Sequence, residues 1–280
     1  MALALAALLA AQSALGSNAR TAANERHAHT AAARMMAALN LPPVAIPTRV
    51  DPLGSALLSR PPAAPATPTL VDRHAFWRVP GRPSAVLAWI EAHPPAGSKH
   101  DMSGASARPG GVTATWDGYG FGPLAGILSY RELTVEVAQA TSGGTALRAD
   151  AEVVWVVVRS SAERVPDSVK TIGITSHRLG KPPSATYTVT SSVQVHKIVA
   201  FVNRLPLAQP GVRACPADLG PLVQLDFRGA ASATPLAIAT ADGSGCGLVT
   251  LRLRGRTEPP LTGGPHLIAW LESVLGMDLG

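Results

Sequence analysis

The chain has 280 residues, 46% of them apolar and 15% charged, with a formal net charge of +6. That length supports one large or two small domains with real cores, and no apolar run approaches the length of a membrane-spanning helix. The basic residues are scattered, the closest group being Arg252, Arg254 and Arg256 on one face of a predicted strand, so neither a basic stripe nor a recognisable module points to nucleic acid.

The first residues, MALALAALLAAQSALG, join an apolar run to small residues. This reads as a secretory signal peptide over 1–19, although no Lys or Arg precedes the apolar run. Residues 20–69 follow as an alanine- and proline-rich leader and tether. It opens with a weakly amphipathic, mobile helix around Met35, Met36 and Leu39, and prolines then disfavour both helix and ladder. A short strand is expected near Thr48–Val50.

A first α+β module is predicted over 70–178. LVDRHAFWRV reads as a strand and AVLAWIEAH as a helix ended by Pro94-Pro95. A Ser/Gly/Ala loop runs to Gly111, followed by a strand GVTATWDGY. The clearest hairpin comes next. Leu133, Val135 and Val137 alternate with polar positions, and Ala149, Ala151, Val153 and Trp155 share one face of the return strand, with Asp150 and Glu152 on the other. Such alternation predicts a half-buried antiparallel pair, with the return strand, apolar on both faces after Val153, covered on both sides in its second half. KTIGIT is a short strand, and Gly180–Pro183 reads as a joint.

A second module is predicted over 184–280: a strand ATYTVTS, a helix carrying Val195, Ile198, Val199, Val202 and Leu205, three strands, and a closing helix HLIAWLESVLG. The expected class is α+β, each module a mainly antiparallel sheet with one or two packed helices. The order strand–helix–three strands occurs twice. VLAWIE, IVAFVN and LIAWLE are alike, which leaves open either a β-α-β-β-β duplication or the common demands of a helix packed on a sheet.

Cys215 and Cys246 are the only cysteines. An even count in an exported chain predicts a disulfide, and two thiols without a nearby histidine make a poor zinc set. No metal and no cofactor is expected. His93 and His100 flank a loop with Asp101 adjacent, but no further ligands follow at a metal-site spacing.

Three stretches could carry function. In ADGSGCG (241–247), Ser244 lacks the G-x-S-x-G spacing of a nucleophile elbow, and the stretch reads as a turn between strands. Asp72 and His74 share one strand face and could do acid–base work, or simply form an exposed ion-pairing face. WDGYGFGPLAG places Trp116, Tyr119 and Phe121 among glycines. Their rings could stack on a sugar or peptide, or pack in the core of a glycine-bent edge strand.

DRHAFWRVPGRPSAVLAWIEAHPPAG (72–97), IVAFVNRLPLAQPGVRACPADLG (198–220) and DGSGCG (242–247) resemble a group of exported actinobacterial proteins of unknown function. The likeness covers most of the chain from Leu70 onward. It implies export, a two-part build and a structural disulfide, and it assigns no catalytic residue. The expected function is therefore a non-catalytic binding or interaction protein of the cell envelope or secreted space. Its expected partner is a wall polymer or envelope protein, met through Trp116, Tyr119 and Phe121. The alternatives are a wall-associated hydrolase, with a site near Ser244 or Asp72/His74, and a structural role in assembly.

Overall fold

The structure is a computed structural model that describes residues 2–53, 56–107, 113–141, 143–177, 186–208, 215–217, 219–230 and 234–279. The class is α+β, with two antiparallel sheets and their helices. The chain divides into two compact units, one over Arg20–Val157 and one over Val158–Gly280 together with Met1–Ala19. The division falls ahead of the predicted joint. The strand Thr171–His177, expected in the first module, pairs inside the second sheet. The joint residues Gly180–Pro183 lie outside the described residues.

Helix α1 (Ala2–Ala37) contributes its residues from Arg20 onward to the first unit. The expectation of a mobile leader is corrected here. Ala28, Ala32 and Met35 recur at helical spacing and are buried in the first core. Alanine carries too little apolar surface to advertise such a face, yet its small side chain lets a helix approach closely. The Asn24 amide donates to the carbonyls of Gly126 and Val156, which fixes the helix along its length. The predicted tether also has structure. β1 (Ile46–Thr48) pairs with β2 (Leu70–Val79), and a 3-10 turn at Ala56–Leu58 buries Leu57 and Leu58.

α2 (Pro83–Ala92) starts with proline in its first turn, where a missing N–H costs nothing, and buries Val86 and Ile90. β3 (Lys99–Ala107), β4 (Thr113–Gly120), β5 (Leu128–Gln139) and β6 (Thr145–Trp155) form an antiparallel meander. β6 then pairs with β2, giving the order β1-β2-β6-β5-β4-β3. β3 falls where a loop was expected. As an edge strand that starts Lys-His-Asp and ends in Ser, Gly and Ala, it carries no apolar alternation to betray it. One sheet face takes the apolar core of Val71, Leu133, Val135, Val137, Leu147, Ala149, Ala151 and Val153.

The second unit holds β7 (Thr171–His177), β8 (Tyr187–Val189), α3 (Ser192–Arg204), β9 (Leu222–Arg228), β10 (Ala237–Asp242), β11 (Leu248–Leu253), β12 (Arg256–Thr257), β13 (Leu261–Thr262) and α4 (Gly264–Leu275). Its path is β12-β11-β10-β9-β7-β8, with β13 also on β11. Val195, Ile198, Val199 and Val202 of α3 and Leu267, Ile268 and Leu271 of α4 join the core with Leu225, Phe227 and Leu251. Phe201 and Trp270 stack between the helices with centroids 4.4 Å apart. The buried Arg159 guanidinium donates to the carbonyls of Val202 and Leu205, satisfying the end of α3.

The pairing orders of the two sheets differ. The strand before α2 lies beside the last strand of its meander, whereas β8, the strand before α3, is an edge strand beside β7.

Candidate functional site

The charged side chains of the first sheet converge on the face opposite its apolar core. Cross-strand register sets three rows. Asp72, Glu152 and Glu132 lie side by side on β2, β6 and β5; His74, Asp150 and Thr134 form the next row; Phe76, Arg148 and Glu136 form the third. Because side chains alternate along a strand, all of these share one face. Glu132, Glu136, Arg148, Asp150 and Glu152 are each at most 2% exposed. This corrects the reading of the hairpin as half-buried. Both of its faces are buried, and the polar one holds the charges.

β4 continues the first two rows with Gly120 and Gly118 and the third with Trp116. A Cβ at Gly118 would come within 2.5 Å of Glu132 Oε1, so Glu132 lies directly over the bare backbone. Asp101 sits at a register shift in β3, beside Gly120, at the rim of the same face. At the other end Leu57 and Leu58 pack with Phe76, Ala114, Ala138 and Ala146.

Arg148 is the organising cation. Its Nε donates to both Asp150 oxygens at 2.9 and 2.8 Å, and its Nη1 to the Leu58 carbonyl at 2.8 Å. Its guanidinium also stands over the Phe76 ring, 5.4 Å from the centroid. Burial works against its charge, but the Asp150 hydrogen bonds and the carboxylates of Asp150, Asp72 and Glu136 outweigh it and leave its pKa raised. Tyr130 donates to Glu132 Oε2, and burial together with that bond raises the phenol's pKa.

In the first two rows Asp72, Glu132, Asp150 and Glu152 face one imidazole, with the Arg148 guanidinium in the next row. Glu152 marks the imbalance most sharply: it is 1% exposed and both of its oxygens lack a hydrogen-bond partner. Its pKa is pushed up to about 8, first by burial and then by the charges of Asp150, Asp72 and Glu132. An unpaired charge in such a place costs several kcal/mol, so the site demands a proton or a cation.

The face reaches solvent at Asp72 and His74, whose side chains are 27% and 48% exposed, with Asp72 Oδ2 3.7 Å from His74 Nδ1. β1 covers β2 only from Phe76 to Arg78, so these two residues stand on an open sheet edge. Charged side chains there also discourage pairing with a foreign strand. Asp72 lines a cavity of about 500 Å³ together with Glu25 and His29.

Of the other sequence candidates, Trp116 continues the third row beside Glu136, and the rest fall elsewhere. Trp116 and Tyr119 are three residues apart on β4 and so point to opposite faces. Tyr119 is 1% exposed inside the apolar core, and its phenol pKa is pushed up to about 12 by burial and then by Asp117 and Glu91. Trp116 covers Gly104, and Phe121 packs against the core. The three aromatics therefore form no single stacking surface. Arg131 donates to the Phe121 and Gly122 carbonyls and holds the following loop.

Ser244 is an acceptor in a turn, taking the backbone N–H groups of Leu219 at 2.9 Å and Gly220 at 2.6 Å, and Cys246 is bonded to Cys215 beside it. His93 stacks on Trp89, while His100 meets Asp117 at 3.3 Å. The three clustered arginines do not share a strand. Arg254 and Gly255 form a tight turn with positive φ between β11 and β12. Arg254 and Arg256 instead line a second cleft of about 740 Å³ with Arg164 and Glu258.

The buried carboxylate rows are what sequence reasoning missed. The signal was present as four acids, Glu132, Glu136, Asp150 and Glu152, on the same parity of two hairpin strands with only Arg148 to balance them. Comparison with family models, with curated proteins and with solved structures finds no match.

Proposed function

We propose that this chain is an exported, non-catalytic binding protein of the envelope or secreted space, and that the carboxylate-rich face of its first sheet takes a positively charged ligand. One observation carries the reading: Glu152 is buried with both oxygens unpartnered, between Asp72 and Glu132. A buried acid without a partner destabilises the fold, and a cationic ligand supplies what the protein's own cations do not. The Cys215–Cys246 disulfide supports an oxidising compartment. No described helix is long and apolar enough to cross a membrane.

The hydrolase reading has one observation in its favour, the Asp72–His74 contact. Against it, the Ser244 hydroxyl is engaged by two backbone amides. A thermal-unfolding screen separates the two. The panel would hold divalent cations, spermidine and a lysine-rich peptide, set against neutral and anionic wall fragments. Cationic ligands should raise Tm in the native chain and do so less in Glu152→Gln. Stabilisation only by neutral or anionic polymers, or wall-polymer cleavage lost in His74→Ala, would overturn the proposal.

A further inference from the structure

Resting on that reading of the face, we infer that its ligand is a transition-metal dication of the zinc class, held by Asp72, His74 and Asp150 with Glu152 behind them. One ligand atom from each of the three lies within 4.8 Å of the other two. A metal about 2.0–2.2 Å from each of three ligands spans roughly 3–4 Å between them, so a small closing movement completes the set. The two outer ligands are on the open edge of β2 and partly exposed, whereas Asp150 is fixed by Arg148.

Asp150 remains able to coordinate. A carboxylate oxygen offers two lone pairs, and Oδ2 accepts a single N–H, from Arg148 Nε. Glu152 is the independent sign of a ligand. It is beside Asp72 in register and on the same face as Asp150, sealed from water, with no partner for either oxygen.

The imidazole chooses the class. Calcium and magnesium prefer all-oxygen shells, while one nitrogen among carboxylates suits zinc and its neighbours. An organic ammonium would meet the same groups only through hydrogen bonds, and the spermidine arm of the test separates it. Entry is open through the partly exposed Asp72 and His74.

The test is calorimetric titration of the metal-stripped full chain with Zn²⁺, Mn²⁺, Ca²⁺ and, separately, spermidine. The expected result is one Zn²⁺ bound per chain. Affinity should fall at least about tenfold in His74→Ala and in Glu152→Gln, and stay unchanged in the surface control His196→Ala. His74 is half-exposed, so its variant should fold, and Tm without metal checks this. Zn²⁺ binding indifferent to His74→Ala, or Ca²⁺ binding as tight as Zn²⁺, would overturn the assignment. Spermidine binding sensitive to Glu152→Gln, with no metal bound, would overturn the metal and leave the cationic face standing. No binding by any cation would remove both.

Discussion

Replacing Glu152 by glutamine keeps shape and removes the charge, so it isolates what ionisation of that group does to the fold. In the native chain its carboxyl has an ordinary pKa of 4.5 unfolded and about 8 folded. The folded protein therefore holds the proton more tightly. Its contribution to stability is complete below pH 4.5 and is lost as pH rises through 8. At about 1.4 kcal/mol per unit, the loss across that window is of order 5 kcal/mol. Urea unfolding of the chelated protein at pH 5, 7 and 9 would follow it. Tryptophan fluorescence is a suitable probe, because every tryptophan except Trp270 lies in the first unit. Relative to wild type, Glu152→Gln should gain stability steadily from pH 5 to pH 9. Stabilities that fall in parallel would show that Glu152 ionises without penalty and would refute the argument.

Arg148→Met should cost about 3–5 kcal/mol in the same assay, because it strands Asp150 buried and unpaired. Replacing Cys215 and Cys246 together by serine frees a loop of sequence separation 31 and should lower stability by roughly 3–4 kcal/mol, with denaturant unfolding of the second unit as the readout. Tyr119→Ala should behave as a core truncation, losing about 3–5 kcal/mol of stability at every ligand concentration. If it lost ligand affinity alone, the aromatic-surface reading would return.

The sequence was most legible where one face of an element met a core and the other did not. β2 and α3 follow their periodic apolar residues, and the β5–β6 hairpin was visible in Leu133, Val135 and Val137 opposite Leu147, Ala149 and Ala151. Cys215 and Cys246 were readable as a pair because nothing else could use them. Three features were not readable, for separate reasons. β3 is built from charged and small residues that any loop would tolerate, with Met102 its one large apolar side chain. The packed half of α1 is written in alanine, which looks alike in a core and in a mobile leader. The buried acidic rows depend on β2 lying beside β6, a long-range pairing that places Asp72 next to Glu152 and that no local pattern encodes. Polar alternation tells which residues share a face, but not whether water reaches it.

The most direct test of the charged face is native mass spectrometry of the chain recovered, undenatured, from a secreting host. A bound cationic species of defined mass, present on the native chain and lost from Glu152→Gln, is the result the account predicts. Bare polypeptide mass for both proteins, with Glu152→Gln no more stable than wild type at pH 9, would contradict it.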